Sequence, residues 1–132
     1  MTDRSVFWDD LSEDLKDPEF VREFVLESIR IKTVDSIINA LDDARAESQL
    51  SKAQLARAVA IEPATVRRLL SAKGNPTLRT VSELAAAVGL RLTLEPLPEP
   101  GREALVDALV AGKVDDLAGL ESAVEQFDHA AH

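Results

Sequence analysis

Few residues in this chain can do covalent chemistry. Cysteine is absent, which removes disulfides, thiolate metal sites and thiol nucleophiles together. The two histidines, His129 and His132, both lie in the last four residues. Their spacing could present two imidazoles on one helical face, but at a fraying terminus no metal site is expected. Tyrosine is absent, no Gly-rich phosphate loop occurs, and the many carboxylates fall mostly on faces expected to be solvated. The expectation is therefore no enzyme, no catalytic residue and no cofactor. What remains is the non-covalent chemistry of cations. Residues 49–92 carry seven Lys or Arg against two acids, a net +5, while residues 1–48 and 93–132 each carry −7 and the whole chain −9. Phosphates would repel an evenly acidic surface, so a basic centre between acidic flanks implies nucleic acid as the partner of the centre. For the flanks it leaves two readings open, a basic partner or a merely solvated surface.

The elements that must position these cations follow from length and pattern. With 132 residues, 45% of them apolar and 30% charged, the chain is a globular one with one main core and extensions. No apolar run approaches the roughly 20 residues of a membrane span. The start MTDRSVFWDD lacks the basic and apolar stretches of a secretory signal, so a cytoplasmic location is expected.

Asp17-Pro18 opens a helix, the carboxylate capping free N–H groups and Pro being tolerated in the first turn. Apolar residues at Phe20, Phe24, Ile31, Val34, Ile38 and Leu41 carry it to about Ala46, as one long helix or two in line. The β-branched stretch Ile29 to Val34 is where any bend belongs. Ahead of it, Val6, Phe7, Trp8, Leu11 and Leu15 read as a short strand or helical turn that covers the same face.

Ser51 and Gln54 have the spacing of a capping box, predicting a helix from Lys52 to about Val59. Pro63 opens the next, which ends near Ser71 before the loop Lys73-Gly74-Asn75-Pro76. Thr77 caps a helix over Leu78 to Val88, and Gly89 can turn left-handed at its end. Leu90, Leu92 and Leu94 alternate with Arg91, Thr93 and Glu95, the pattern of a half-buried strand that would pair with Val6–Trp8, a second subunit or another protein. We favour the two-fold pairing, with Leu90, Leu92 and Leu94 as the dimer seam. Pro96, Pro98 and Pro100-Gly101 mark a linker, and two short amphipathic helices turning near Gly112 follow. So small and acidic a hairpin buries little apolar area alone and needs something to dock on.

Residues 50–78 meet the steric demands of a helix-turn-helix in succession. Ala56 is small where a second helix must cross, and Ala60 has little bulk where the turn is tight. Ile61, Val66 and Leu69 then supply apolar positions in register with Leu55.

The stretch LSKAQLARAVAIEPATVRRLLSAKGNPTLRTVSELAAAVGLRL resembles the XRE family of helix-turn-helix proteins, and in particular HigA-like antitoxins of bacterial toxin–antitoxin modules. The likeness covers about Thr33 to Leu94, and DLKDPEFVREFVLESI before it is similar to the leader helix of some addiction-module antidotes. The chain departs from the pattern in having Lys52 for Gln, Ala60 for Gly and Leu70 for Glu. Ala60 is tolerable in the Gly position if the backbone there is not strongly left-handed.

The resemblance implies an all-α fold: a lambda-repressor-like helix-turn-helix bundle with a long N-terminal helix, one short strand and a C-terminal helical extension. The organisation expected is an acidic arm and leader helix over 1–32, the DNA-binding domain over 33–95, a Pro-rich linker over 96–101 and an acidic helical hairpin over 102–132. The outward face of the second motif helix would enter the major groove, which makes Pro63, Ala64, Thr65, Arg67 and Arg68 candidates to face bases. Pro63 and Ala64 have no side-chain donors, so Ala64 touches a thymine methyl at most, and Arg67 and Arg68 carry the hydrogen-bonded readout. Lys52, Lys73, Asn75 and Arg79, near helix ends and the following loop, suit phosphate contacts. The implied function is an antitoxin that binds double-stranded DNA at an inverted-repeat operator as a homodimer, autorepresses its operon and neutralises a basic toxin such as a ribonuclease. The alternative is a stand-alone repressor without a toxin partner.

Overall fold

The computed structural model describes residues 16–71 and 75–129. The Val6–Trp8 segment, Lys73 and His132 lie outside these residues. Among the described residues there are six α-helices: α1 Pro18–Glu47, α2 Lys52–Ala58, α3 Pro63–Leu69, α4 Leu78–Ala87, α5 Gly101–Val110 and α6 Leu117–Glu125, followed by a 3₁₀ turn Gln126–His129. None of them is long and apolar enough to cross a membrane.

The chain divides into two compact units, and α1 contributes to each. One unit joins residues up to Lys32 with Pro96–Phe127. Its core sets Val21 and Val25 of α1 against Leu105 and Ala108 of α5 and Leu120, Ala123 and Val124 of α6. The apolar faces of the C-terminal hairpin are thus covered by the first half of α1. Phe20 and Phe24, one turn apart, stack with ring centroids 6.1 Å apart and pack against this cluster. Arg22 donates from Nε to the Leu109 carbonyl at 3.1 Å and from a terminal guanidinium nitrogen to the Val110 carbonyl at 3.4 Å. A cation there satisfies carbonyls that α5 leaves unpaired at its end and opposes the negative end of its dipole. The turn after α5 runs through Gly112, whose φ is +65° and where a Cβ would collide with Pro18, so the hairpin closes there only with glycine.

The other unit consists of Thr33–Glu95 together with the last residues from Asp128. Ile38 and Leu41 of α1, Leu55 and Ala56 of α2, Val66 and Leu69 of α3, Leu70, and Val81, Leu84, Ala85 and Val88 of and beside α4 form its core. The starts of its helices are those the residues predict. Ser51 and Gln54 form the reciprocal capping box, and the Thr77 hydroxyl accepts from the Thr80 N–H at 3.1 Å. Helical bonding spans all of Pro18–Glu47, through the β-branched stretch at Ile29 to Val34.

Two expectations fail: each compact unit has a core of its own where one main core was expected, because α5 and α6 bury their apolar faces with the first half of α1, and the short strand does not form. Residues 90–97 have no regular secondary structure, and no strand occurs among the described residues. An extended run becomes a strand only when its N–H and C=O groups find a partner ladder. The Leu90 N–H instead closes the end of α4 by donating to the Ala85 carbonyl at 2.7 Å. Nor does the alternation mark a buried face, because Leu90, Leu92 and Leu94 are 43%, 39% and 100% exposed.

The ends of α1, α2 and α4 share one device. In each, the second residue past the helix cap donates back to a carbonyl five positions earlier: Leu50 to Arg45 at 3.2 Å, Ile61 to Ala56 at 3.0 Å and Leu90 to Ala85 at 2.7 Å. The residue before each donor is left-handed: Gln49 and Ala60, both at φ 59°, and Gly89 at φ 82°. These are Schellman closures, and their left-handed position suits glycine. Arg45 adds a side-chain clamp at the first, donating to the Leu50 carbonyl at 2.7 Å and to the Asp42 carboxylate at 2.8 Å. Ala60 has no such relief, and its Cβ costs roughly 1 to 2 kcal/mol in that conformation. Ala60→Gly is therefore expected to raise the unfolding free energy of the chain by about 1 kcal/mol in urea titrations, the flexibility of glycine in the unfolded chain taking back part of the relief. Gly89→Ala should lower it by about 1 kcal/mol through backbone strain alone, since no atom lies within 4 Å of the added Cβ. Loss of stability in Ala60→Gly contradicts this account of the turn.

Candidate nucleic-acid interface

Helix α3 has seven residues, about 10 Å of helix at 1.5 Å per residue, too short to persist on its own. Its place is fixed by packing. Val66 and Leu69 enter the core together with Leu70, and Val66 meets the same cluster as Ala56 of α2, both at 0% exposure. Ala56 is thus the small residue at the crossing, as its position in the motif predicts, and Ile61 packs on the cluster from the turn. A side chain larger than Ala at 56 would push α3 away from α2, and with it everything α3 displays.

With one side buried, the rest of α3 is presented outward. At 100° per residue, Ala64, Arg67 and Arg68 lie opposite Val66, Leu69 and Leu70, and all three are exposed. Thr65 lies on the flank and is half-buried, as is Pro63 at the first turn. The five side chains named from the sequence as candidates to face bases, Pro63, Ala64, Thr65, Arg67 and Arg68, therefore share one short helix. The outward face contains two guanidiniums and a methyl group.

The residues named for phosphate are spread around this helix. Lys52 is the first residue of α2 and half-buried, while Asn75 precedes α4 and is exposed. Arg79, on the first turn of α4, is exposed and has Glu83 one turn on, with its Nε 3.7 Å from that carboxylate. Such an exposed pair contributes little and leaves the guanidinium available to a phosphate. Lys73 lies outside the described residues.

Three further exposed polar residues belong to the neighbourhood and were not among the sequence candidates. Ser71 follows the line of Ala64 and Arg68 at i, i+4 and i+7, and its hydroxyl donates to the Arg68 carbonyl at 2.7 Å. On a helix expected to run to about Ser71, the helical repeat alone points to it. Arg57 stands in the last turn of α2, where a cation also suits the helix dipole. Glu62 is the N-cap of α3, a position that Pro63 at the next residue marks.

The arrangement can grip an anionic polymer and, through its guanidiniums, read the O6 and N7 edge of guanine. Among the described residues no group of His, Cys, Asp and Glu is placed to hold a metal ion. Comparison with known families gives a match to the helix-turn-helix family model over residues 29–94, half of the chain. Neither the curated proteins nor the solved structures gave a match. The matched stretch contains α2, the turn, α3 and α4 with the core that joins them. The chain therefore belongs to the helix-turn-helix family of DNA-binding regulators, and its α2–α3 pair is the element from which that family takes its name.

Proposed function

We propose that this chain is a sequence-specific transcriptional repressor that inserts α3 into the major groove of an inverted-repeat operator upstream of its own gene. The observation that carries the reading is the burial of Val66 and Leu69 on one side of α3 with Arg67 and Arg68 exposed on the other. Arg67 and Arg68 read base edges, with Thr65 and Ala64 at their side. Lys52, Lys73, Asn75 and Arg79 hold phosphates and set the orientation. Titrations on the DNA upstream of the gene and on a scrambled duplex separate these roles. Arg68→Ala should lose about 1 to 3 kcal/mol on the first duplex only, and Arg79→Ala should weaken both equally and reduce the salt slope by about one. Equal losses on both duplexes for Arg68→Ala remove its base-reading role.

One α3 in one groove gives a small interface, so the repressor works as a two-fold dimer on paired half-sites. The exposed side chains of Leu90, Leu92 and Leu94 supply the apolar contact between copies. Sedimentation at micromolar concentration should report a dimer, and Leu94→Glu should shift it toward monomer. A wild-type chain that stays monomeric on and off DNA argues against the pairing.

A second activity, neutralisation of a basic toxin, is favoured by the unit built from 16–32 and 96–127. Its described part carries eleven acids against six bases and exposes Leu26, Ile31, Val106 and Val110. Complementary charge would speed and orient the encounter, and the apolar side chains would supply affinity. The resemblance to HigA-like antitoxins points the same way. Co-expression with the adjacent gene is the test: a small basic product should co-purify with the wild type and be lost with Val106→Lys/Val110→Lys. A chain that purifies alone leaves the stand-alone repressor.

A further inference from the structure

The basic stretch 49–92 contains two acids, Glu62 and Glu83. Glu83 has a local role, since Arg79 lies 3.7 Å from it across one helical turn. Glu62 has none of that kind. It occupies the N-cap of α3 with extended backbone, φ −66° and ψ 136°, yet its side chain makes no capping bond, and it is exposed. Ser51, Thr77 and Asp116 all use their side chains to cap the helices they start. For capping, Ser, Thr, Asp or Asn would serve better than Glu. Beside DNA a carboxylate also carries a cost, because it faces a polymer of phosphates.

Two neighbours sharpen the point. Pro63 and Ala64 carry no polar side-chain atom, so at the leading end of α3 hydrogen bonding falls to the exposed Glu62 and the half-buried Thr65 hydroxyl, and Glu62 is the one charged side chain there, while Arg67 and Arg68 serve the trailing end. A carboxylate is an acceptor only. In the major groove the donors are the amino groups of cytosine and adenine, and adenine sets an acceptor, N7, beside its amino group, which repels a carboxylate. Cytosine has no such acceptor on that edge.

We infer that Glu62 is a specificity-determining residue that accepts a hydrogen bond from the N4 amino group of a cytosine in each half-site. The inference rests on the DNA-reading function proposed above. Opposite guanine or thymine the carboxylate meets acceptors or a methyl group and loses its water without return, so one residue both favours cytosine and rejects other bases.

The test is selection from a random-sequence duplex pool with the full-length wild type, Glu62→Ala and Glu62→Gln. The wild type should enrich cytosine about tenfold over the other bases at one position of each half-site. Glu62→Ala should level the four bases there and leave the rest of the motif unchanged. Glu62→Gln should move the preference to adenine, whose N6 and N7 suit an amide. Unfolding midpoints of both variants should stay at the wild-type value, since the side chain makes no cap. The same motif from all three proteins overturns the role of Glu62 while leaving DNA reading intact. A wild type that enriches no motif overturns the underlying function, and this inference with it.

Discussion

The contact on which the DNA-facing half of this molecule depends is the crossing of α2 and α3, where Ala56 and Val66 are both fully buried. A helix of seven residues has no stability of its own in water, because the cost of nucleation is not recovered over so few hydrogen bonds. The orientation of Arg67 and Arg68 is therefore inherited from the core beneath them. Val66 and Leu69 fix the rotation of α3 about its axis, and the smallness of Ala56 fixes its distance from α2. An error of one residue in that register would turn the arginines by 100° and take them off the outward face.

The turn that joins these helices makes the same demand on the backbone. For α3 to pack where it does, the chain must reverse within Val59 to Glu62, and a Schellman closure with a left-handed residue at 60 accomplishes this. The unit accepts strain at Ala60 because burial of Leu55, Val66 and Leu84, each contributing roughly 1.5 to 3 kcal/mol, outweighs it several times over. Burial also offsets a second local cost: the Thr33 hydroxyl oxygen is buried without a hydrogen-bond partner.

What could be read from the residues, and what could not, divides along a physical line. Caps are local: Ser51 with Gln54, Thr77 and Gly89 act on atoms within a few positions, so their residue types alone point to the helix boundaries seen. The buried register of Leu55, Ala56, Val66 and Leu69 is nearly as local, being a repeat of 3.6 on two adjacent helices. The Leu90 to Leu94 alternation misled because a period of two is meaningful only against a partner, and that partner is not local. The left-handed backbone at Ala60 was likewise hidden, since the residue type argued for an ordinary turn while the closure required an unfavourable one. The exposed position of Arg67 and Arg68 on α3 was legible by charge and spacing. The uncapped state of Glu62 was not legible, because an acid in a basic stretch reads as a solvated side chain and its residue type does not say whether it caps α3.

An acidic chain that reads DNA is consistent once affinity and specificity are treated separately. Non-specific binding grows with the number of phosphates neutralised, and a chain of net charge −9 keeps that term small, because its seven cations over 49–92 are outweighed elsewhere. Sequence-specific binding would then draw more of its free energy from base edges, for which the exposed guanidiniums of Arg67 and Arg68 are suited. That dependence gives α3 little tolerance for rotation, since a directional bond fails with small angular errors whereas a charge does not. Under the proposed pairing, a second α3 would double the base contacts on an inverted site, while extra cations on one copy would raise affinity for every sequence alike. The close packing at Ala56 and Val66 and the scarcity of excess positive charge are thus linked, each being what a readout by a few directional side chains would require.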